Sequence, residues 1–265
     1  MTARYASASL SRLLELLELE QPRVVTRDDL ERLAKEAGVT WPPRLVWQRL
    51  RERGWLMDLK TRGVWEFVPA ARAGTYSSGD PLIELRAVLA RRPEAPFSVA
   101  AESAAYLLGL ATRRPIREII GAPPGATIPP ALRDYRGVRW SPRSATVERD
   151  ALPVWSVAAL LAFMAVRPNG YRDWPNVGDW IADAAAQVTV GDLRIELEGR
   201  PRSAWARTAY LLHRGRATQT AREVFAIAPS GHGPYYLGPR RDGGRCEPSF
   251  EVIHSTHIEA TREPA

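Results

Sequence analysis

The sequence has few of the side chains that most often bind metals or form cross-links. Its 265 residues include one cysteine and four histidines. The single thiol, Cys246, excludes an intramolecular disulfide and any zinc site built from several cysteines. The four histidines are His213, His232, His254 and His257. The last two lie three residues apart in a predicted strand and so point to opposite faces. We therefore expect no metal and no other cofactor.

Long apolar runs and lysines are also scarce. The first twenty residues place leucines at the spacing of an amphipathic helix and lack the uninterrupted apolar core of a signal peptide. The most apolar later run, residues 151–166, contains Pro153 and is shorter than a membrane span. A cytoplasmic protein with no membrane partner is expected. The net charge of +7 is nearly all arginine and suits a polyanionic partner without identifying one.

Residues 26–68 carry the clearest pattern in the chain. Thr26 is a good N-cap, and the apolar residues that follow recur at helical spacing up to Gly38, a typical helix stop. Pro42 and Pro43 suit the first positions of a second helix, so the turn between the helices is short. Two strand-like segments follow around a basic turn at residues 60–63. Together with the leucine-rich first helix, this order predicts a winged helix-turn-helix.

The second helix of this pattern has one face suited to DNA bases. Val46, Leu50 and Leu45 are expected on the buried side. The opposite side carries polar residues at spacings of four and three, namely Arg44, Gln48 and Arg51. Arginine pairs bidentately with guanine, and glutamine with adenine. A solvated helix face is the alternative, but the preceding helix and the following hairpin favour a helix placed in a major groove.

The basic turn of the hairpin would contact phosphate or enter a minor groove. The full set of predicted DNA-binding residues is Thr26, Arg27, Arg44, Gln48, Arg51, Lys60 and Arg62. The tryptophans of this region are expected to fill its small core, because a short domain needs bulky apolar side chains. Trp47 lies beside the proposed reading face and is the one tryptophan considered as a possible contact.

The rest of the chain predicts a larger second domain. Residues 69–81 are rich in alanine, glycine and serine and read as a linker, so we place the domains at residues 1–78 and 79–265. A capped helix after Ser98, short strand candidates in residues 116–141, a buried helix from Val154 to Val166 and a later amphipathic helix at 203–216 predict a mixed α/β body. The fold class is therefore α+β.

One group of acids resembles the spaced carboxylates of some nucleases. It lies in the segment GDLRIELEG and consists of Asp192, Glu196 and Glu198. Glu196 and Glu198 would share one face of a strand, but a solvated strand or the start of a helix explains them equally well. The glycine-rich segments GAPPGAT and SGHGP lack the Lys-Ser/Thr pair of a phosphate-binding loop and are predicted to be turns. No catalytic residue is therefore assigned, and the protein is not predicted to be an enzyme.

The second region contains three apolar segments, which are SAAYLLGL at 103–110, VERDALPVWSVAALLAFM at 147–164 and SAWARTAYLLHRGR at 203–216. In this order they resemble the AbiEi-type antitoxins of bacterial type IV toxin-antitoxin systems. The resemblance implies a winged helix that binds double-stranded DNA, at inverted repeats in the protein's own promoter, and represses its operon. It also implies a C-terminal antitoxin domain that counteracts a nucleotidyltransferase-like toxin, functionally and without the need for a stable complex.

Two other functions fit part of the pattern. A one-component transcriptional repressor would combine the same DNA-binding domain with a second domain that binds a small ligand or a protein. A DNA nuclease would use the three acids of the GDLRIELEG segment. The identity of the neighbouring gene separates the antitoxin from the repressor, and incubation with DNA and magnesium tests the nuclease.

Overall fold

The structure, a computed structural model, describes residues 8–72, 78–238, 243–255 and 258. The chain divides into two compact units. The first comprises Met1–Ala95 together with Ile128–Asp134, and the second comprises Pro96–Thr127 together with Tyr135–Ala265. Both helices and sheets are present, which confirms the expected α+β class.

The first part of unit 1 has the element order of a winged helix-turn-helix. Its helices and strands are α1 (Ala8–Glu20), β1 (Val24–Thr26), α2 (Arg27–Glu36), α3 (Pro43–Glu52), β2 (Leu56–Asp58) and β3 (Val64–Phe67). The strands form an antiparallel sheet in the order β1-β3-β2. The three-residue strand β1 was not expected from the sequence, and it adds a third strand to the predicted hairpin.

Local signals account for the ends of α2. The hydroxyl of Thr26 accepts a hydrogen bond from the backbone N–H of Asp29 at 3.1 Å, and the Asp29 carboxylate accepts one from the Thr26 N–H at 2.9 Å. This reciprocal pair is a capping box. At the other end Gly38 has a φ of +68°, a left-handed conformation that favours glycine. The predicted start and stop of this helix are both confirmed.

Leucines of all three helices form the core of this region. The stripe on α1 is buried as expected, and it packs with side chains of α2, α3 and the sheet. The fully buried members of this core include Leu13, Leu17, Val25, Leu30, Leu33 and Leu50. Burial of such side chains contributes roughly 1.5–3 kcal/mol each, so this short region has a core sufficient to fix the orientation of α3.

Unit 1 extends beyond the predicted domain boundary. Helix α4 (Ile83–Arg91) and the short 3₁₀ turn Pro130–Leu132 both belong to it, so the boundary expected near residue 78 lies inside this unit. Asp80 anchors the start of α4, since its carboxylate accepts from the Leu82 N–H at 2.9 Å and from the Arg86 guanidinium at 2.7 Å. Burial opposes ionisation of Asp80, but these hydrogen bonds outweigh it and lower its pKa.

Unit 2 is built on a five-stranded mixed sheet in the order β6-β5-β4-β8-β7. Its strands are β4 (Ser98–Val99), β5 (Ile119–Ala122), β6 (Arg136–Arg139), β7 (Val147–Arg149) and β8 (Leu152–Val154). Its helices are α5 (Ala101–Leu107), α6 (Val157–Val166), α7 (Ile181–Ala186), α8 (Val190–Leu197), α9 (Arg202–Arg214) and α10 (Thr218–Ala226). A second sheet contains β9 (Tyr235–Leu237), β10 (Arg245–Glu247) and β11 (Val252–His254).

Helix α6 is the centre of this unit. Every residue from Val157 to Ala165 is buried, which matches the uninterrupted apolar run from which the helix was predicted. The helix begins where the Ser156 hydroxyl accepts from the Ala159 N–H at 3.1 Å. In contrast, Ser98 was expected to cap a helix but lies in β4, and residues 126–129 were expected to be a strand but lie between β5 and β6. Sheet pairing of Ser98 with Gly121 takes precedence over its capping preference.

Among the described residues, no helix is both long enough and apolar enough to cross a membrane.

Candidate nucleic-acid interface

Helix α3 presents the polar face that the sequence predicts. Arg44, Gln48 and Arg51 are all exposed, whereas Val46 and Leu50 are buried on the other side of the helix. Leu45 was expected to be buried, but 46% of it is exposed. Its position next to Arg44, one residue further around the helix, places it on the outer side. The exposed surface therefore combines guanidinium, amide and aliphatic groups, and the aliphatic group is suited to a thymine methyl.

The three predicted reading residues differ in their present partners. The Gln48 amide donates to the Glu52 carboxylate at 2.9 Å, and the Arg51 guanidinium forms an ion pair with Asp58 on β2. Arg44 has no hydrogen-bond or ion-pair partner within the described part of the chain. Exposed ion pairs contribute little to stability, about 0.2–1 kcal/mol, so these carboxylates can release Gln48 and Arg51 at low cost.

We predict that Glu52→Gln strengthens binding of this protein to duplex DNA about two- to fivefold. The substitution removes a negative charge from α3, where Glu52 also forms a 3.3 Å ion pair with Arg49. It thereby frees Arg49 and reduces repulsion of phosphate. Fluorescence anisotropy at fixed salt measures the effect. Glu31→Gln, an equal charge change at an exposed position of α2, is the matched control, and a similar gain in that variant would contradict a role specific to α3.

The hairpin turn is held by α4 and by the residue 128–134 segment. The backbone N–H of Lys60 donates to Glu84 at 2.7 Å, and the Lys60 ammonium forms an ion pair with Asp134. The hydrogen bond that the ammonium donates to the Asp134 carboxylate raises the pKa of Lys60. The predicted role of Lys60 as a phosphate contact therefore requires that Asp134 be displaced. Arg62 keeps its side chain exposed at the tip of the same turn.

A polar groove of about 420 Å³ lies between the start of α2, the hairpin turn and the end of α4. Arg27, Arg62 and Arg91 line it, together with Asp28 and Thr26. The Arg91 guanidinium donates to the backbone carbonyl of Arg62 at 2.9 Å. The N-terminus of a helix favours anions, so this groove combines the partial charge of α2 with arginine side chains from separate parts of the sequence.

Thr26 and Trp47 have structural roles beside this groove. The Thr26 hydroxyl takes part in the capping box of α2. Trp47 stacks on Trp65 with ring centroids 5.8 Å apart, and the Arg27 guanidinium lies 5.0 Å from the Trp47 ring centroid. Trp47 therefore packs against the sheet and positions Arg27, which supports the interpretation of the tryptophans as packing residues.

The three acids considered for a nuclease are separated by their roles in the structure. The segment, for which a strand and the start of a helix were both considered, forms helix α8. Asp192 belongs to its N-terminal capping box, and a hydrogen bond from the Thr189 hydroxyl lowers the pKa of this carboxyl. Glu196 is completely buried and accepts from the backbone N–H groups of Arg143 and Ser144 at 2.9–3.2 Å. Glu198 follows the helix and is exposed.

The histidines also lie in separate surroundings. The His213 ring packs 5.3 Å from Phe250, and His254 lies 4.8 Å from the Tyr210 ring. His232 lies in a loop of unit 2, and His257 falls outside the described residues. No group of three or more histidine, cysteine, aspartate or glutamate side chains with the geometry of a metal site occurs within residues that the structure describes.

Sequence reasoning missed several members of this surface. Arg91 reaches the groove only because α4 belongs to unit 1, and Asp134 reaches Lys60 across 74 positions of sequence. Neither contact leaves a local signal. Glu52 was accessible to sequence reasoning, since it lies four residues after Gln48 on the same helix, and residues at that spacing interact.

Comparisons with known proteins support the resemblance found in the second region. Residues 97–214 match the family model of the AbiEi antitoxin C-terminal domain. The chain is also similar to the crystal structure of the RV2827C protein from Mycobacterium tuberculosis, with 28% sequence identity and a TM-score of 0.75 over 96% of this chain and 94% of that chain. No curated protein gives a significant match.

Proposed function

We propose that the protein is a DNA-binding antitoxin of a type IV toxin-antitoxin system, because residues 97–214 match the family model of the AbiEi antitoxin C-terminal domain. In this proposal it is a regulator and not an enzyme. Unit 1 binds double-stranded DNA at inverted repeats of the protein's own promoter and represses the operon. Unit 2 counteracts a nucleotidyltransferase-like toxin in the cytoplasm.

The main observation in favour of the proposed DNA binding is the exposed face of α3. Arg44 is without an ion-pair partner among the described residues, and Gln48 and Arg51 lie four and seven positions further along the same exposed helix. These spacings place the three side chains along one side of about two helical turns, a length that fits a major groove. Guanine and adenine offer acceptor and donor patterns that match these side chains.

The groove at the start of α2 supports the same proposal. In a helix-turn-helix the helix before the reading helix crosses the DNA backbone, so its N-terminus is well placed for a phosphate. Arg27 and Arg62 would contact that phosphate, and Arg91 would orient the Arg62 backbone from α4. Lys60 would add a contact when Asp134 is displaced. Such contacts fix the protein on the duplex, while α3 reads the sequence.

The toxin-directed half rests on the family assignment of unit 2. The domain match supports an antitoxin role, and the family implies a nucleotidyltransferase-like toxin that is usually encoded next to the antitoxin. The proposed action opposes the activity of the toxin without a requirement for a stable complex.

Two assays on the full chain test the two halves separately. A gel-shift titration compares DNA from upstream of the protein's own gene with shuffled DNA of equal length, and we expect binding at least about a thousandfold tighter to the upstream DNA. Equal affinity for both would contradict the regulator. In the second assay the adjacent gene is induced alone or with this protein. Growth arrest by the toxin gene that persists during co-expression would contradict the antitoxin and favour a repressor acting alone.

A further inference from the structure

An open cleft in unit 2 lies outside all the contacts invoked above. It has a volume of about 1050 Å³ and lies between the start of α9, the end of α8 and the loop around Gly231 and His232. A cleft of this size accommodates a small organic ligand, for which sites of about 300–1,000 Å³ are typical.

Three arginines, Arg194, Arg200 and Arg202, and one acid, Glu198, line the cleft. Arg194 is exposed without an ion-pair partner among the described residues. The Arg200 guanidinium lies 4.2 Å from the Trp140 ring centroid, and Arg167 approaches the same ring at 5.9 Å. Burial and then the charge of Arg143 lower the pKa of Arg200. An anion bound here would reduce this repulsion.

The backbone adds further donors at the same place. Helix α9 is 13 residues long and begins at Arg202 after Pro201, which provides no side-chain cap. No side chain therefore caps the first N–H groups of α9, which carry the partial positive charge of the helix N-terminus, although the Ala204 N–H donates to the Pro201 carbonyl at 2.8 Å. Arg202 itself is partly neutralised, because it pairs with Glu251 at 3.3 Å. The Arg202 guanidinium also donates to the Pro229 carbonyl at 3.1 Å, which holds the start of α9 against a loop that lines the cleft.

A buried donor without an acceptor points independently to a ligand. Trp205 lines the cleft and is 5% exposed. Its indole N–H has no hydrogen-bond partner within the part of the chain that the structure describes. Buried donors are nearly always paired in native proteins, so the acceptor is expected from a bound molecule.

The remaining lining mixes the polar side chains of Ser203, Ser230 and His232 with apolar ones. Ile227 is 47% exposed and lies in this lining with Pro229 and Tyr235. An exposed isoleucine beside an aromatic ring is a favourable surface for a planar heterocycle. The cleft therefore combines arginine side chains and the start of a helix with aromatic and aliphatic groups.

We propose that this cleft binds a nucleoside phosphate. The phosphate lies against Arg194, Arg200 and the first turn of α9, and the base packs on Ile227 and Tyr235. The Trp205 N–H donates to an oxygen of the same ligand. This site belongs to unit 2 and does not depend on binding of the promoter by unit 1.

Isothermal titration calorimetry of the full chain with ATP, GTP, CTP and UTP in magnesium-free buffer tests this assignment. We expect at least one of the four to bind with one site per chain. Arg194→Gln and Arg200→Gln should each weaken that binding about tenfold, since each removes a charge-assisted contact to phosphate. Trp205→Phe should weaken it about three- to tenfold, because it removes one hydrogen bond.

Arg222→Gln is the matched control, since Arg222 is exposed on α10 and does not line the cleft. Arg194 is exposed, so its variant keeps the test valid even if Arg200→Gln fails to fold. The proposal is overturned if none of the four nucleotides binds at about 1 mM, if Arg194→Gln binds like wild type, or if pyrophosphate binds as tightly as the nucleotide. Gel shifts on the same preparations report promoter binding independently.

Discussion

Replacement of Arg44 by alanine is expected to lower specific DNA affinity by roughly 1–3 kcal/mol, which corresponds to about 5- to 150-fold. Arg44 has the largest expected effect of any single reading residue, because its guanidinium has no competing carboxylate among the described residues. Arg51→Ala should cost less, since Arg51 must first leave its ion pair with Asp58. The two positions are about 10 Å apart along the helix, so their effects should be close to additive.

Fluorescence anisotropy at one salt concentration, with promoter DNA and shuffled DNA, measures both affinity and sequence preference. Arg12→Ala is the control, since Arg12 is exposed on α1 and pairs with its helix neighbour Glu15 at 3.2 Å. Circular dichroism checks that each variant is folded. If the double variant Arg44→Ala/Arg51→Ala bound promoter DNA as tightly as the wild type, α3 would not be the helix that contacts the bases.

Replacement of Glu196 by alanine is expected to destabilise the protein by about 3 kcal/mol. The Glu196 carboxylate is completely buried, and it accepts from the N–H groups of Arg143 and Ser144 and from the Ser144 hydroxyl. Its loss leaves these donors without their acceptor and releases the loop that precedes β7. Urea denaturation followed by circular dichroism measures the change in the free energy of unfolding.

Glu198→Ala is the matched control for Glu196→Ala. Glu198 is exposed and approaches Arg143 only at 3.9 Å, so its replacement should change stability by less than about 0.5 kcal/mol. The comparison also separates a structural role from the nuclease hypothesis. If Glu196→Gln kept full stability while a magnesium-dependent DNA cleavage by the wild type disappeared, Glu196 would be catalytic and the structural role would be wrong.

Features fixed by neighbouring residues could be predicted from the sequence. The capping box of Thr26 and Asp29 spans three positions, and the polar spacing on α3 requires only the periodicity of a helix. The buried helix α6 followed from its continuous apolar run in the same way. Leu45 was placed incorrectly, because a leucine beside Val46 was expected to follow the apolar side.

Features fixed by distant residues could not be predicted. The ion pair between Lys60 and Asp134 joins positions 74 residues apart, and no local pattern links them. Strand β1 has three residues and exists because it pairs with β3. Helix α8 lies in a segment whose alternating apolar and acidic residues also suit a strand, and the Thr189 capping box decides in favour of the helix. The cleft in unit 2 depends on three separate segments and was not predicted.

The composition of unit 1 has a consequence for how the protein can be divided. The chain leaves this unit after Ala95, returns for Ile128–Asp134 and leaves again. A fragment that ends at residue 78 would lack Asp80, Glu84 and Asp134, which hold α4 and the hairpin turn. Unit 1 is therefore not a detachable module, because a single cut after Ala95 would leave out residues 128–134 and a single cut after Asp134 would carry residues 96–127 of unit 2 along with it. The inheritance of unit 1 is therefore tied to that of unit 2, because residues 128–134 of unit 1 are encoded between two parts of unit 2.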